Sequence, residues 1–254
     1  MSAHEGPKDS KLKEGIDEII AALAATGLRA LFLPEPTWAP NEERRRAFEA
    51  LFLKAFSLGL EQPIDYTLPY PRHEFLRYLV AQQDVVLYGS NQPDIIVIEP
   101  QEQYDLSGQR MRGVIATGDG IWPIFHAILD REQYTGSVRS GAFVVKITRA
   151  QERRYYYFSL NPTLHNLRPW RTGMVYILPR PAFTPLSSSV VRYDEWVCPK
   201  PVRPIAKIAV TPQDFPFLHQ VSAHEEGESA WRTWLKYKSR LQQLSRSASK
   251  EGKA

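Results

Sequence analysis

The sequence predicts an α+β fold, a strand-rich centre with helical additions at both ends. Three observations carry this. Apolar residues recur at helical spacing before residue 84 and again after 227, the two ends of the chain. Between about 84 and 212 the texture changes to short runs rich in Val, Ile, Tyr and Phe, punctuated by Gly, Pro, Asn and Asp. A single helical pattern interrupts those runs, whereas a doubly wound parallel sheet would need a helix after nearly every strand.

Taken in order, residues 11–25 place Ile16, Ile19, Ile20, Leu23 and Ala24 on one helical face, and Thr26-Gly27 supplies a stop. Pro34, Pro36 and Pro40 mark an extended link. Asn41, a favourable N-cap, opens a helix to residue 57 that turns Phe48, Leu51, Phe52 and Phe56 inward. After a proline-punctuated connection over 60–71, residues 72–82 repeat the pattern with Phe75, Leu76, Leu79 and Val80. Strands are then expected at 85–88, 95–98, 113–116, 142–148, 155–160, 174–178, 190–192, 195–198 and 205–210. The interposed helix covers 121–130, with Asp119 as its cap and Pro123 in its first turn. A last helix over 228–244 buries Trp231, Trp234, Leu235 and Leu241, and the tail from Ser245 has the composition of a disordered segment. The organisation is thus a helical segment (1–71), a strand-rich domain (72–212), and a C-terminal helix with a basic tail (213–254).

With 43% hydrophobic and 24% charged residues, the composition is that of an ordinary globular chain. No run approaches the roughly 18 consecutive apolar residues that a membrane span needs. Residues 1–8 lack the apolar core of a secretory signal, so a cytoplasmic location without membrane contact is expected. The one cysteine, Cys198, excludes an internal disulfide and a cysteine-built zinc site. The net charge of +4 admits an anionic partner such as nucleic acid. Lys236, Lys238, Arg240, Arg246, Lys250 and Lys253 concentrate it near the C-terminus, where a solvated helix explains it equally well. The run Glu152–Phe158 mixes basic and aromatic residues; it reads as a base-stacking surface or as a half-buried strand with alternating faces.

Common catalytic signatures are missing from the sequence. The histidines at 4, 73, 126, 165, 219 and 224 form no ligand pair, so no metal is expected, and His126 reads as a hydrogen-bonded structural residue. There is no G-x-S-x-G elbow and no P-loop lysine. Gly118-Asp119-Gly120 starts like a dinucleotide fingerprint, but Pro123 stands at the third glycine position.

Three segments remain, in order: Leu87-Tyr88-Gly89-Ser90 at a strand end, Gly113 to Asp119 at a strand end leading into a helix, and Tyr193-Asp194-Glu195-Trp196-Val197 opening a late strand. Together they resemble the three-part site of ADP-ribosyltransferases of the poly(ADP-ribose) polymerase and diphtheria-toxin type. In that family the parts are a His-Gly-Ser/Thr strand end, a Tyr-bearing strand before a helix, and a strand carrying a glutamate. The resemblance covers about residues 84–210 and implies NAD as substrate and an ADP-ribosyl acceptor that the sequence does not name.

It further implies that Glu195 is the catalytic carboxylate, stabilising positive charge as nicotinamide leaves. Tyr88 stands where the family has the ribose-binding histidine, and a phenol also hydrogen-bonds a hydroxyl. Gly89 would offer backbone N–H and C=O to the nicotinamide carboxamide, its missing side chain permitting close approach. Ser90, Ile115 and Thr117 would complete the cofactor wall. Ile115 replaces the family's stacking tyrosine, and the segment 117–123 lacks the serine that helps hold the carboxamide in polymerase-type members. A binding module without catalysis, for a nucleotide or nucleic acid, is the alternative on the same fold.

Overall fold

Two sheets with helices packed on them make up the α+β architecture, in a computed structural model that describes residues 32–58, 63–104, 110–132, 136–148, 151–186 and 191–225. The helices expected over 11–25 and 228–244, and the basic tail, lie outside those residues. Helix α1 (Glu42–Leu58) begins as its cap predicts: the Asn41 side-chain oxygen accepts the Arg44 N–H at 2.9 Å. It buries Phe48, Phe52 and Ala55, an i, i+4, i+7 stripe. Phe56, expected inward, lies one position off that stripe and is 57% exposed. Helix α2 (Arg72–Gln82) buries Phe75, Leu76 and Leu79 as expected.

Strand β1 (Leu33–Pro34) precedes both helices, and after them come β2 (Val85–Ser90), β3 (Gln101–Tyr104), β4 (Arg110–Thr117), α3 (Trp122–Ile128), β5 (Val138–Thr148), β6 (Gln151–Leu160), α4 (Pro162–Leu167), β7 (Gly173–Pro179), β8 (Thr184–Pro185), β9 (Val191–Tyr193), β10 (Glu195–Cys198), β11 (Ala206–Val210) and β12 (Ser222–Ala223). The larger sheet has the order β11-β7-β2-β4-β10-β8, with β3 beside β4, and all its pairings are antiparallel. The smaller runs β1-β6-β5-β9, with β12 added to β6 in parallel.

One core lies between the sheets. Val85, Leu87, Val175, Ile177 and Ile208 of the larger sheet share it with α2, α3 and the inward face of β6. Tyr156 and Phe158 point into it, and Phe158 meets Phe125 of α3 at 4.8 Å and Phe215 at 4.9 Å between ring centroids. Tyr155 turns to the other face and stacks on Phe143. Residues 155–158 therefore alternate between two faces, as a strand must, and spend Tyr156 and Phe158 on packing. A second cluster, with Val86, Val114, Tyr176, Leu178 and Cys198, covers the reverse of the larger sheet.

Residues 95–98 do not form the expected strand. Only Ile98 pairs, bridging Val202 through bonds of 2.9 and 3.0 Å. The loop before it is pinned by Tyr176, whose hydroxyl donates to the Gln92 carbonyl (2.6 Å) and accepts the Ile95 N–H (3.0 Å). Ile96 is 66% exposed, so an apolar run here does not mark burial. Strand β3, a polar Gln-Glu-Gln-Tyr segment, carries no apolar alternation and is held by its antiparallel pairing to β4.

Candidate functional site

The larger sheet splits between β2 and β4. Strand β2 stays paired to β7 from Val85 to Ser90, and β4 to β10 from Val114 to Thr117, but β2 and β4 meet only at Leu87–Thr117. Beyond that point the strands separate, and a cleft of about 760 Å³ opens between them. That volume falls in the range of small-molecule sites.

Register decides which backbone groups face the opening. The Arg180 N–H donates to the Asp84 carbonyl at 3.0 Å, making that a hydrogen-bonded pair. By antiparallel alternation, Val86, Tyr88 and Ser90 then bond β7, and the N–H and C=O of Leu87 and Gly89 turn to the opposite edge. Val85, in the same set, has its carbonyl taken by the Arg180 guanidinium at 2.9 Å rather than by a strand. Leu87 meets β4; Gly89, past the split, presents its backbone toward the cleft.

Tyr88, Gly89, Ser90, Ile115, Thr117 and Glu195, separated widely in sequence, all line this one cleft. Glu195 and Thr117 are register partners and share a sheet face, as do Val197 and Ile115 two residues along. Glu195 is 8% exposed. The Thr117 hydroxyl accepts the Asp119 N–H at 3.1 Å, and the Ser90 hydroxyl accepts the Gln92 N–H at 3.1 Å. Tyr88 alternates to the face of the second cluster yet still borders the cleft. Burial raises its phenol pKa, with Arg131 acting the other way, so the hydroxyl stays protonated.

The structure gives Gly89 a different reason for being glycine. A Cβ there would stand 1.9 Å from the Pro123 carbonyl oxygen, and one on Gly173 would stand 1.8 Å from that of Ala127. Helix α3 lies directly on the backbones of β2 and β7. Close approach of a helix, not of a ligand, excludes a side chain at Gly89.

Other cleft residues were not among the expected site residues, although His126 was expected to be hydrogen-bonded and is. Trp122 and His126, four apart on α3, present adjacent side chains, and the Trp122 indole N–H donates to the Ser140 hydroxyl at 3.0 Å. The same oxygen lies 3.1 Å from His126 Nε2. Burial, reinforced by Arg131, lowers the His126 pKa to about 3, so the ring is neutral near pH 7 and its hydrogen bond to Ser140 joins two uncharged groups. The i, i+4 spacing on α3 could have placed Trp122 and His126 on one face. Ser140 gave no signal, because β5 crosses over from the smaller sheet. Asn91, Gln101, Arg131 and Arg139 also line the wall.

Behind Glu195 sits a buried ionic knot. Arg154 of β6 pairs with Asp119 at 2.6 Å, with Asp194 at 2.5 Å, and more loosely with Glu35 at 3.7 Å. Burial opposes the Arg154 charge, but Asp119 and Asp194 outweigh it and raise the guanidinium pKa. Asp119 also accepts the Tyr156 hydroxyl (2.7 Å) and, with its other oxygen, the N–H groups of Ile121 (2.8 Å) and Trp122 (2.6 Å) at the start of α3. This is the capping role expected of Asp119. Gly118 N–H bonds the Asp194 carbonyl at 3.1 Å, so the knot ties the end of β4 to the residue preceding Glu195.

Among the described residues, no group of three or more His, Cys, Asp or Glu side chains is placed to hold a metal ion. None of the described helices is long and apolar enough to cross a membrane. Comparison with models of known protein families, with curated proteins and with solved structures yields no match.

Proposed function

We propose that this chain is a divergent ADP-ribosyltransferase-like protein whose cleft binds NAD and whose Glu195 assists the release of nicotinamide. One observation carries the reading: three segments distant in sequence bring a strand-end glycine backbone, the Ile115–Thr117 wall and a buried carboxylate to a single opening in a split sheet. In the proposed reaction the bond from the nicotinamide nitrogen to the ribose carbon breaks, and its electron pair leaves with nicotinamide. Positive charge develops on the ribose, opposite Glu195, and the acceptor's lone pair then closes on that carbon as the acceptor loses its proton. Gly89 N–H and C=O hold the carboxamide, and the protonated Tyr88 hydroxyl bonds the ribose.

A binding module without transfer is the second reading. Ile115 favours it, since an aliphatic side chain on the cleft wall gives the nicotinamide ring nothing aromatic to stack on.

Release of nicotinamide from NAD by the full chain, compared with Glu195→Gln, separates the two. A carboxylate acting in the transition state lowers kcat more than NAD affinity when removed, by about 10²–10³ in rate. The transferase reading expects that loss with NAD binding kept. Equal rates in the two proteins would remove Glu195 from the chemistry. No release by wild type or by Tyr88→His, which restores the family's histidine, would leave only the binding module.

A further inference from the structure

We infer that Arg131 and Arg139 form a phosphate-binding end of the cleft and hold the diphosphate of a dinucleotide. The inference deepens the NAD reading and rests on it for the ligand's identity, but its chemistry concerns only the phosphates. Of the described side chains that line the cleft, two are cationic, Arg131 and Arg139, and one is anionic, Glu195, while His126 is neutral. The opening therefore favours a ligand with negative charge.

Glu195 and Arg131 stand toward opposite ends of α3. Glu195 pairs with Thr117, whose hydroxyl bonds Asp119 at the start of α3. Arg131 follows the far end of that helix, which at seven residues spans about 10 Å. It lines the cleft together with Tyr88 and His126. Arg139 enters from β5, next to Ser140.

Arg131 is also poised for an anion by what its neighbours do. The acidic residues on either side of it in sequence, Asp130 and Glu132, are both turned to Arg171, at 3.4 and 3.1 Å. Desolvation lowers the Arg131 pKa, and among the described residues the one group that opposes this is the Tyr88 phenol, with no carboxylate beside it. A guanidinium whose neighbouring carboxylates are engaged by Arg171 can grip a phosphate with two parallel N–H donors. Such a ligand would lie with its diphosphate between the two arginines and its glycosidic carbon toward Glu195.

Calorimetry on the full chain with NAD, ADP-ribose, inorganic pyrophosphate and nicotinamide riboside tests this, using wild type, Arg131→Gln and Arg139→Gln. Both substitutions are expected to weaken NAD, ADP-ribose and pyrophosphate about 10- to 100-fold, while the phosphate-free riboside holds or improves its affinity. Thermal unfolding of each variant checks that the fold is intact, and Arg131, at the surface, is the safer of the two. Binding of pyrophosphate or ADP-ribose that depends on Arg131, without NAD binding, would keep the phosphate site and discard the NAD reading. Wild-type protein that binds none of the phosphorylated probes, or variants that lose riboside and NAD equally, would overturn the inference.

Discussion

On one side of the cleft, Gly89 and Gly173 let helix α3 lie on β2 and β7 backbone to backbone; on the other, Glu195 is set by the charges gathered around Arg154. The first wall is held by shape. It involves no charge, and it has no room for one added carbon. The second is held by electrostatics across two sheets, and it depends on a single guanidinium that satisfies carboxylates from separate segments. Volume changes should therefore damage the first wall, and charge changes the second.

The largest expected effect breaks the second wall. Arg154→Leu keeps much of the side-chain volume but strands Asp119 and Asp194 in a buried site, a loss of about 3–5 kcal/mol in unfolding free energy by urea titration. Arg154→Lys keeps the charge but lacks the planar fork that reaches two carboxylates, so it should recover only part of that loss. If Arg154→Leu unfolds at the wild-type midpoint, the ionic account of this wall is wrong.

Next in size is the first wall. Gly173→Ala places a methyl 1.8 Å from the Ala127 carbonyl oxygen, backbone that has no rotamer to yield. Overpacking of this kind costs roughly 1–3 kcal/mol, and added salt should not alter it. A Gly173→Ala chain as stable as wild type would mean that α3 does not sit against β7 as described.

At neutral pH the smallest effect concerns His126, the one titrating group on α3. Its folded pKa of about 3 lies below the unfolded value of 6.5, so folding excludes a proton that the unfolded chain accepts. Stability from this source is complete above about pH 6.5 and declines as pH falls toward 3, at no more than about 1.4 kcal/mol per pH unit. His126→Gln should flatten the acid decline of the unfolding midpoint in that window. Parallel curves for the two proteins would mean that His126 is not desolvated.

Much of this was readable because it is local. The Asn41 cap, the α2 stripe and the span of β10 follow from neighbours within a turn or a strand. The three candidate segments could be picked out for the same reason, since each is a strand end with its own residue signature. What escaped depends on contacts between distant segments. Arg154 finds Asp119 from 35 positions away, and Ser140 reaches His126 only because β5 passes over α3. Residues 95–98 misled for the converse reason: their apolar run is local, but Tyr176 decides their conformation from 81 positions away. Gly89 was singled out for a local reason, ligand approach, while the contact that excludes its side chain is with Pro123.

The central claim is that the split between β2 and β4 is where NAD binds, and a calorimetric titration of NAD into wild type and Ile115→Trp tests it most directly. Ile115 is half-buried on the cleft wall, and an indole there fills the opening without touching Glu195's register pairing with Thr117. The account predicts saturable binding to wild type and a shifted affinity in Ile115→Trp at an unchanged unfolding midpoint, tighter where the indole stacks on the nicotinamide ring and weaker where it fills the opening. Wild type that binds no NAD, or a variant whose NAD affinity is unchanged, would contradict the account.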